Sequence, residues 1–401
     1  MDSLLPSEFF VRNRDSLRKA VSHLPIVIAG NGLLQRTADT TFAFAQESTF
    51  WYLTGLAIPD LVLVIDSDET YIIVPGRNAI RATFDGAISA KEVTERSGIA
   101  TIYEEKEGWK KLKSSLFATH VVSTLEAPQK YVSAHGFYTN PARQQLAERL
   151  LHTDPDLEIW NIAKEVAALR VIKQPEEIAC IERAVAITKD AIKAITKSAE
   201  FETLRFEYEL EAMLGATFRR MGASGHAYSP IVASGEHATT LHYVSNDGAI
   251  KQQDYIVLDV GAEVDHYAAD ISRTVIQGKP SARQRAVHIA VQAVQHEALK
   301  LMVPGATLKH IERQVELLVG KELKSLGLIT NARDVDAIRA YYPHAVSHFL
   351  GLDVHDVGNY HEPLAPGMVL TCEPGIYIPE EGIGVRIEDD ILITESGNRI
   401  L

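Results

Sequence analysis

Residues Val369 to Thr394, VLTCEPGIYIPEEGIGVRIEDDILIT, place carboxylates where a strand of a globular protein carries apolar side chains. Val369 to Glu373 has strand composition and stops at Pro374-Gly375. A second turn, Pro379 to Gly382, leads into a strand from Val385 to Ile393. Side chains alternate along a strand, so Arg386, Glu388 and Asp390 are expected on one face and Val385, Ile387 and Asp389 on the other. Two acids and a cation therefore share a face. A buried acid is costly unless a cation, a metal or a proton neutralises it, and one strand pair does not decide among the three.

Two upstream stretches narrow the choice. In Tyr255-Ile256-Val257-Leu258-Asp259-Val260-Gly261 an acid interrupts an apolar strand, and Ala268-Ala269-Asp270-Ile271 puts another on the return strand. Asp259 and Asp270 are expected to face each other across this hairpin. Taken singly, Asp259 could cap the turn at Gly261 and Asp270 could pair with Arg273. Facing each other, like charges destabilise a sheet unless a cation lies between them. The run from Tyr342 to Asp356 holds His344, His348 and His355 around apolar Phe349-Leu350-Gly351-Leu352. Imidazole is the commonest nitrogen ligand and a proton donor near neutral pH. Four carboxylates with one histidine make an oxygen-rich set that suits Mn²⁺, Co²⁺ or Fe²⁺, and two ions better than one, with Zn²⁺ also accommodated. Metal-assisted hydrolysis is the expected chemistry.

The chain has 401 residues, 46% of them hydrophobic, with a formal net charge of −13 and two cysteines. That length favours two domains, and the composition excludes general disorder. The acidic balance argues against nucleic acid or an anionic membrane as partner. Cys180 and Cys372 imply no disulfide framework. The first residues, MDSLLPSEFFVRNRDSL, have no basic start followed by an apolar run, and a cytoplasmic location is expected.

Ile26–Ala29, Thr41–Phe44, Leu61–Ile65 and Tyr71–Val74 are expected strands of an α/β domain over residues 1–156, closed by a helix from Pro141 to Leu151. Gly30-Asn31-Gly32 lacks the third glycine of a phosphate loop. The cluster Phe50-Trp51-Tyr52 suits core packing. His152 to Asp156 is a polar break, so residues 157–401 form the second domain. There, helices are expected from Pro175, over Phe206–Arg220, from a capping box at Ser281 with Gln284, and over Thr307–Leu326. Two helix pairs, each followed by an acid-bearing hairpin, hint at an internal duplication.

The order Asp, Asp, His, Glu, Glu resembles the dinuclear metallopeptidases with the pita-bread fold: methionine aminopeptidase, aminopeptidase P, prolidase and creatinase. The motifs LDVGAEVDHYAADISRT, HFLGLDVHD, EPGIYI and GVRIEDDILIT carry the resemblance closely from about residue 160 to the end. It implies an α+β chain, a pita-bread catalytic domain behind a smaller creatinase-like α/β domain. By that similarity Asp259, Asp270, His348, Glu373 and Glu388 hold two divalent ions, with Mn²⁺ first among the candidates and Asp270 and Glu388 bridging. Glu373 doubles as proton acceptor. His242 faces the leaving group, while His355 and Arg386 complete the catalytic set. His344 and Tyr377 fall on substrate-facing positions, and Trp51 is the candidate contact from a neighbouring subunit in a dimer or tetramer.

The implied reaction releases the first residue of a peptide with proline second. Leu241-His242-Tyr243 and Phe50-Trp51-Tyr52 followed by Thr54-Gly55 resemble aminopeptidase P. Asn359 to Pro363 offers no arginine for the free carboxylate of a dipeptide, which disfavours a prolidase. Creatinase lacks the full metal set, and methionine aminopeptidase lacks so large a leading domain. Non-catalytic pita-bread binding proteins have typically lost ligands that this chain keeps.

Overall fold

The computed structural model describes residues 3–76, 86–128, 132–134, 136 and 138–401. The chain divides into two compact units, Leu5–Leu169 and Arg170–Leu401, the second also taking in Ser3 and Leu4.

The N-terminal unit is built on a mixed six-stranded sheet of β1 (Ile26–Ala29), β2 (Val62–Ile65), β3 (Thr70–Val74), β4 (Thr101–Glu104), β5 (Val121–Thr124) and β6 (Glu158–Asn161). Their order is β4-β3-β2-β1-β5-β6. The apolar runs become strands because both faces are covered: on one, Ile26, Ile28, Leu63, Ile65 and Ile72 are buried. Val27, Val64, Tyr71 and Ile73 pack with Leu112 and Leu116 of helix α2 (Glu105–Thr119) and Leu146 and Leu150 of α3 (Ala142–Thr153). Helix α1 (Ser48–Thr54) is capped by Glu47, which accepts from the N–H groups of Thr49 and Phe50. The expected strand Thr41–Phe44 is reduced to Thr40–Thr41, in a two-stranded ribbon with Gln35–Thr37, and Phe42 is 55% exposed. Its apolar composition has no sheet to join. The compact units part at Leu169 rather than 156, because β6 pairs with β5 and completes the first unit's sheet.

In the second unit the expected helices are present as α4 (Pro175–Thr196), α5 (Glu207–Met221), α6 (Ala282–Leu301) and α7 (Leu308–Ser325). Proline at the first turn of α4 and the Ser281/Gln284 capping box of α6 mark two of the starts. No helix among the described residues is long and apolar enough to cross a membrane.

Both acid-bearing hairpins are broken in the middle. In the first, β8 (Tyr255–Val260) pairs with β11 (Ile271–Ile276) and with β7 (Ile231–Ser234), while β9 (Ala262–Val264) pairs with β10 (Tyr267–Ala268). The break falls at Gly261, where a Cβ would lie 1.7 Å from the Ala269 carbonyl oxygen, so only glycine lets the strands cross. In the second, β12 (Val369–Cys372) pairs with β15 (Asp389–Thr394), and β13 (Gly375–Ile378) with β14 (Ile383–Arg386). Here the break falls at Glu373-Pro374 and Ile387-Glu388. One backbone hydrogen bond spans each break, Ala269 N–H to Ala262 O at 3.1 Å and Ile387 N–H to Pro374 O at 3.3 Å. Helices α6 and α7 bury Val287, Val291, Ile311 and Val315 against Cys372, Ile376 and Ile391 of the second hairpin.

Candidate active site

The breaks put Asp270, Glu373 and Glu388 just outside the strand ladders, while Asp259 sits within β8. Asp270 and Glu388 hold the same place, each the residue before a return strand, and the hairpins join through them. The Glu388 N–H donates to Ser272 O at 3.1 Å, and the Asp270 N–H donates to the Asp390 carboxylate at 3.0 Å. Asp259 does not face Asp270, as the sequence led us to expect; it registers opposite Ser272, two residues on, because the ladder ends at the break. The Tyr228 hydroxyl closes the gap, 2.7 Å from Asp259 Oδ1 and 2.6 Å from Asp270 Oδ1.

The alternating face of one long strand is likewise replaced. Arg386 ends β14 and Asp390 lies in β15, with Glu388 at the break between them. Arg386 is 4% exposed and reaches Asp259 Oδ2 at 2.6 Å through Nη2, the Tyr377 hydroxyl at 2.9 Å through Nη1 and Ser272 Oγ at 2.9 Å through Nε. The single-residue alternatives for the first two acids fail: Asp259 pairs with Arg386, while Arg273 takes Asp389 at 2.6 Å.

His348 Nε2 stands 3.4 Å from both Asp270 Oδ2 and Glu373 Oε1. Its Nδ1 faces the Phe349 carbonyl at 3.1 Å, which leaves Nε2 for a metal. The His355 ring lies beside it at a tilt of 37°, 4.1 Å between ring centroids. The next residue, Asp356, is buried between Arg170 at 2.5 Å and Lys173 at 2.8 Å, so the histidine loop is anchored from behind. His344 lies between the Ala345 carbonyl, 2.8 Å from Nδ1, and the Tyr377 hydroxyl, 2.9 Å from Nε2. Burial, reinforced by Arg386, holds it down to about 4, so it is neutral near pH 7.

Asp259, Asp270, His348, Glu373 and Glu388 all line one cleft of about 620 Å³, joined by His242, His344, His355 and Arg386. Trp51 takes a different place. It is 2% exposed in the N-terminal unit and meets Phe10 edge-on at 5.4 Å, so it is core rather than a contact for substrate.

The electrostatics describe a site short of positive charge. Burial raises Glu373 to about 7, with Asp270 adding to the shift against His348. Burial and the neighbouring Asp270 and Glu373 push Glu388 far above the carboxylate range, and burial with Asp259 raises Asp270. His348 is raised to about 9: burial opposes its charge, but the hydrogen bond to Asp270 and the charges of Glu373 and Asp270 prevail. Glu388 Oε1 is buried without a hydrogen-bond partner. Ligand atoms of Asp270, His348 and Glu388 lie within 4.8 Å of one another. An orphaned carboxylate oxygen among oxygen-rich donors fits a divalent ion.

Tyr228, Ser272 and Thr371 escaped the sequence reading. Ser272 Oγ donates to Glu388 Oε2 at 2.6 Å, and Thr371 Oγ1 accepts from the His348 N–H at 3.1 Å. Only the position of Ser272, two residues after Asp270, offered a signal.

Two family models match this chain: Metallopeptidase family M24 over residues 179–395 and Aminopeptidase P, N-terminal domain over residues 10–123. Xaa-Pro aminopeptidase of Escherichia coli K12 is 35% identical over 397 residues, covering 91% of this chain and 87% of the relative. Among solved structures, Pseudomonas aeruginosa aminopeptidase PepP superposes with a TM-score of 0.87 at 28% identity, covering 99% of this chain and 94% of that one. A zinc-substituted Escherichia coli aminopeptidase P in complex with product gives 0.84 at 31% identity, with the same coverage. With both domain models matched in order and the acid-lined cleft in the second, the chain belongs to metallopeptidase family M24, within the aminopeptidase P family.

Proposed function

We propose that this cleft removes the first residue from peptides whose second residue is proline, with Asp259, Asp270, His348, Glu373 and Glu388 holding two divalent ions. The class of activity follows from family membership: the chain is a metal-dependent Xaa-Pro aminopeptidase. The observation that carries the site assignment is the convergence of four carboxylates and one imidazole on a single cleft, one of their oxygens buried without a partner. Mn²⁺ is the proposed occupant, and Asp270 and Glu388 would be among the residues that hold it.

The ions, when bound, supply Lewis-acid polarisation of the first peptide carbonyl and a water acidic enough to react near neutral pH. The chain's own groups do the rest. Glu373, which lines the cleft beside His348, is the group placed to accept the proton of the attacking water. His242 is the proposed donor near the leaving nitrogen, and His355 the second histidine available to the substrate in the same cleft. Arg386, clamped by Tyr377 and Ser272, fixes Asp259. Proline's nitrogen carries no N–H in the peptide, so recognition cannot rest on a donor there. The apolar wall of Ile231, Leu241, Val244 and Val354 suits the ring instead. A homodimer or homotetramer in a reducing cytoplasm is part of the same proposal, consistent with the burial of Cys180 and Cys372.

The test is release of the first amino acid from an Xaa-Pro-Xaa tripeptide and from the matching Xaa-Pro dipeptide, with purified protein supplied with Mn²⁺. Preference for the tripeptide is the expected result. Preference for the dipeptide would make the enzyme a prolidase and demand a carboxylate anchor.

A further inference from the structure

His242 comes to the cleft on a loop between β7 and β8 that contains only a short 3₁₀ turn, Gly235–Thr239. Holding such a segment in one conformation opposes its backbone entropy, so something must anchor it. The anchor is one carboxylate. Glu207 is the first residue of α5, and its side chain is fully buried. Its Oε1 accepts from the Ser234 N–H at 2.7 Å, from Ser234 Oγ at 2.7 Å and from His237 Nδ1 at 3.1 Å. Its Oε2 accepts from the Gly248 N–H at 2.7 Å and the Tyr243 hydroxyl at 2.8 Å. These donors come from the start, the middle and the end of the loop.

The packing around the carboxylate is equally close. The His237 and Tyr243 rings stack with centroids 4.3 Å apart. A Cβ on Gly248 would lie 2.5 Å from the His237 ring and 2.7 Å from Glu207 Oε2. The Glu207 N–H, in turn, donates to Gly248 O at 3.0 Å. Burial alone would raise the carboxyl, but the bonds from Ser234, Tyr243 and His237 hold it below its ordinary range. The acid is thus built as a charged hub, and Tyr243, which it holds, directly follows His242.

We propose that Glu207 is a positioning residue for His242: it ties the loop at three points so that the imidazole enters the cleft in its working place, without touching substrate itself. The inference rests on the proposed role of His242 in turnover. A buried network of charge-assisted bonds fixes geometry more tightly than separate neutral contacts would.

The test is a double-mutant cycle of Glu207→Gln with His242→Ala in the Mn²⁺-loaded enzyme, following kcat and KM on an Xaa-Pro-Xaa tripeptide together with bound metal. Glutamine keeps the shape but turns an acceptor into a donor. Glu207→Gln should keep the wild-type metal content and lower kcat about 10–100-fold, the scale seen for residues that orient catalytic groups. In the His242→Ala background the same substitution should cost less than about threefold, because the two residues act as one unit. Losses that multiply across the cycle, or lost metal, would assign Glu207 a general structural role and overturn the inference. Tyr243→Phe, which removes one donor and leaves the fold intact, repeats the cycle if Glu207→Gln does not fold; an unchanged kcat there would also overturn it. Full activity in His242→Ala alone would instead remove the premise about His242, while the metal centre and the reaction would stand.

Discussion

Asp259 in the first hairpin meets a guanidinium and a phenol, while Glu388 in the second meets one serine hydroxyl and has an oxygen with no partner. The two hairpins share a broken backbone and place Asp270 and Glu388 alike, yet they neutralise their acids by different means. In the first, Arg386 offsets Asp259, and His348 stands near Asp270, whose carboxyl is nonetheless raised by burial. In the second, Glu373 leans on the same His348 and Glu388 has no ion pair among the described residues, so both are pushed toward the protonated form. The likeness of the two hairpins is therefore closer in backbone than in charge. Asp259 alone has a full cationic partner, and Glu388 is the acid left with least compensation.

The largest effect should come from removing that acid. Glu388→Ala should lower hydrolysis of an Xaa-Pro-Xaa peptide by at least about three orders of magnitude, the scale of losing one member of a catalytic unit, and reduce bound metal. Asp270→Asn, at the matching place in the first hairpin, should lose metal likewise if the two residues are equivalent bridges. Metal analysis beside a rate assay checks both, and a Glu388→Ala protein with wild-type metal and rate would end the equivalence.

The electrostatic contrast is sharpened by pH. Glu373 is held at about 7 in the metal-free fold against an ordinary 4.5, and His348 at about 9 against 6.5. Both folded values are raised, so the stability they contribute is present below the ordinary values and is lost as pH climbs through 7 and then 9. A cation replaces those protons. The gain in melting temperature on adding Mn²⁺ should therefore grow from pH 5 to 9, and binding should release protons to the buffer. At a hundredfold excess over Kd, one site contributes about 2.7 kcal/mol. Calorimetry in buffers of different ionisation enthalpy reads the proton release; a metal effect that shrinks with rising pH would contradict the sign.

The smallest effect on activity should come from Trp51. Trp51→Phe should leave kcat/KM within about twofold and lower stability by less than about 3 kcal/mol, as for an ordinary core change. A large fall in kcat/KM without loss of fold would return Trp51 to substrate binding.

What the sequence made legible follows from where the information lies. Asp259, Asp270, Glu373 and Glu388 were visible because acids inside apolar runs contradict the strand pattern. The helix starts at Pro175 and Ser281 were visible because capping is local. In the second hairpin the stop at Pro374-Gly375 was visible, but the one at Ile387-Glu388 was not. The break in the first was not visible either, since the clash that forces Gly261 is with the carbonyl of Ala269 across the turn. Glu207 is one of two acids in the first turn of α5, and nothing in the sequence around His237 marks it. Their meeting depends on residues 234 to 248 folding back over α5, which no local pattern encodes. Thr41–Phe44 misled for the opposite reason, having strand composition without a neighbouring edge.

The most direct test of the metal centre is a titration. The enzyme is stripped with a chelator and Mn²⁺ is returned while bound metal and release of the first residue from an Xaa-Pro-Xaa tripeptide are followed together. We expect no hydrolysis in the stripped protein and activity that rises with occupancy to two ions per chain, with Glu388→Ala failing to follow. Full activity without metal, or two ions bound with Glu388 absent, would contradict the assignment of these five residues as the catalytic centre.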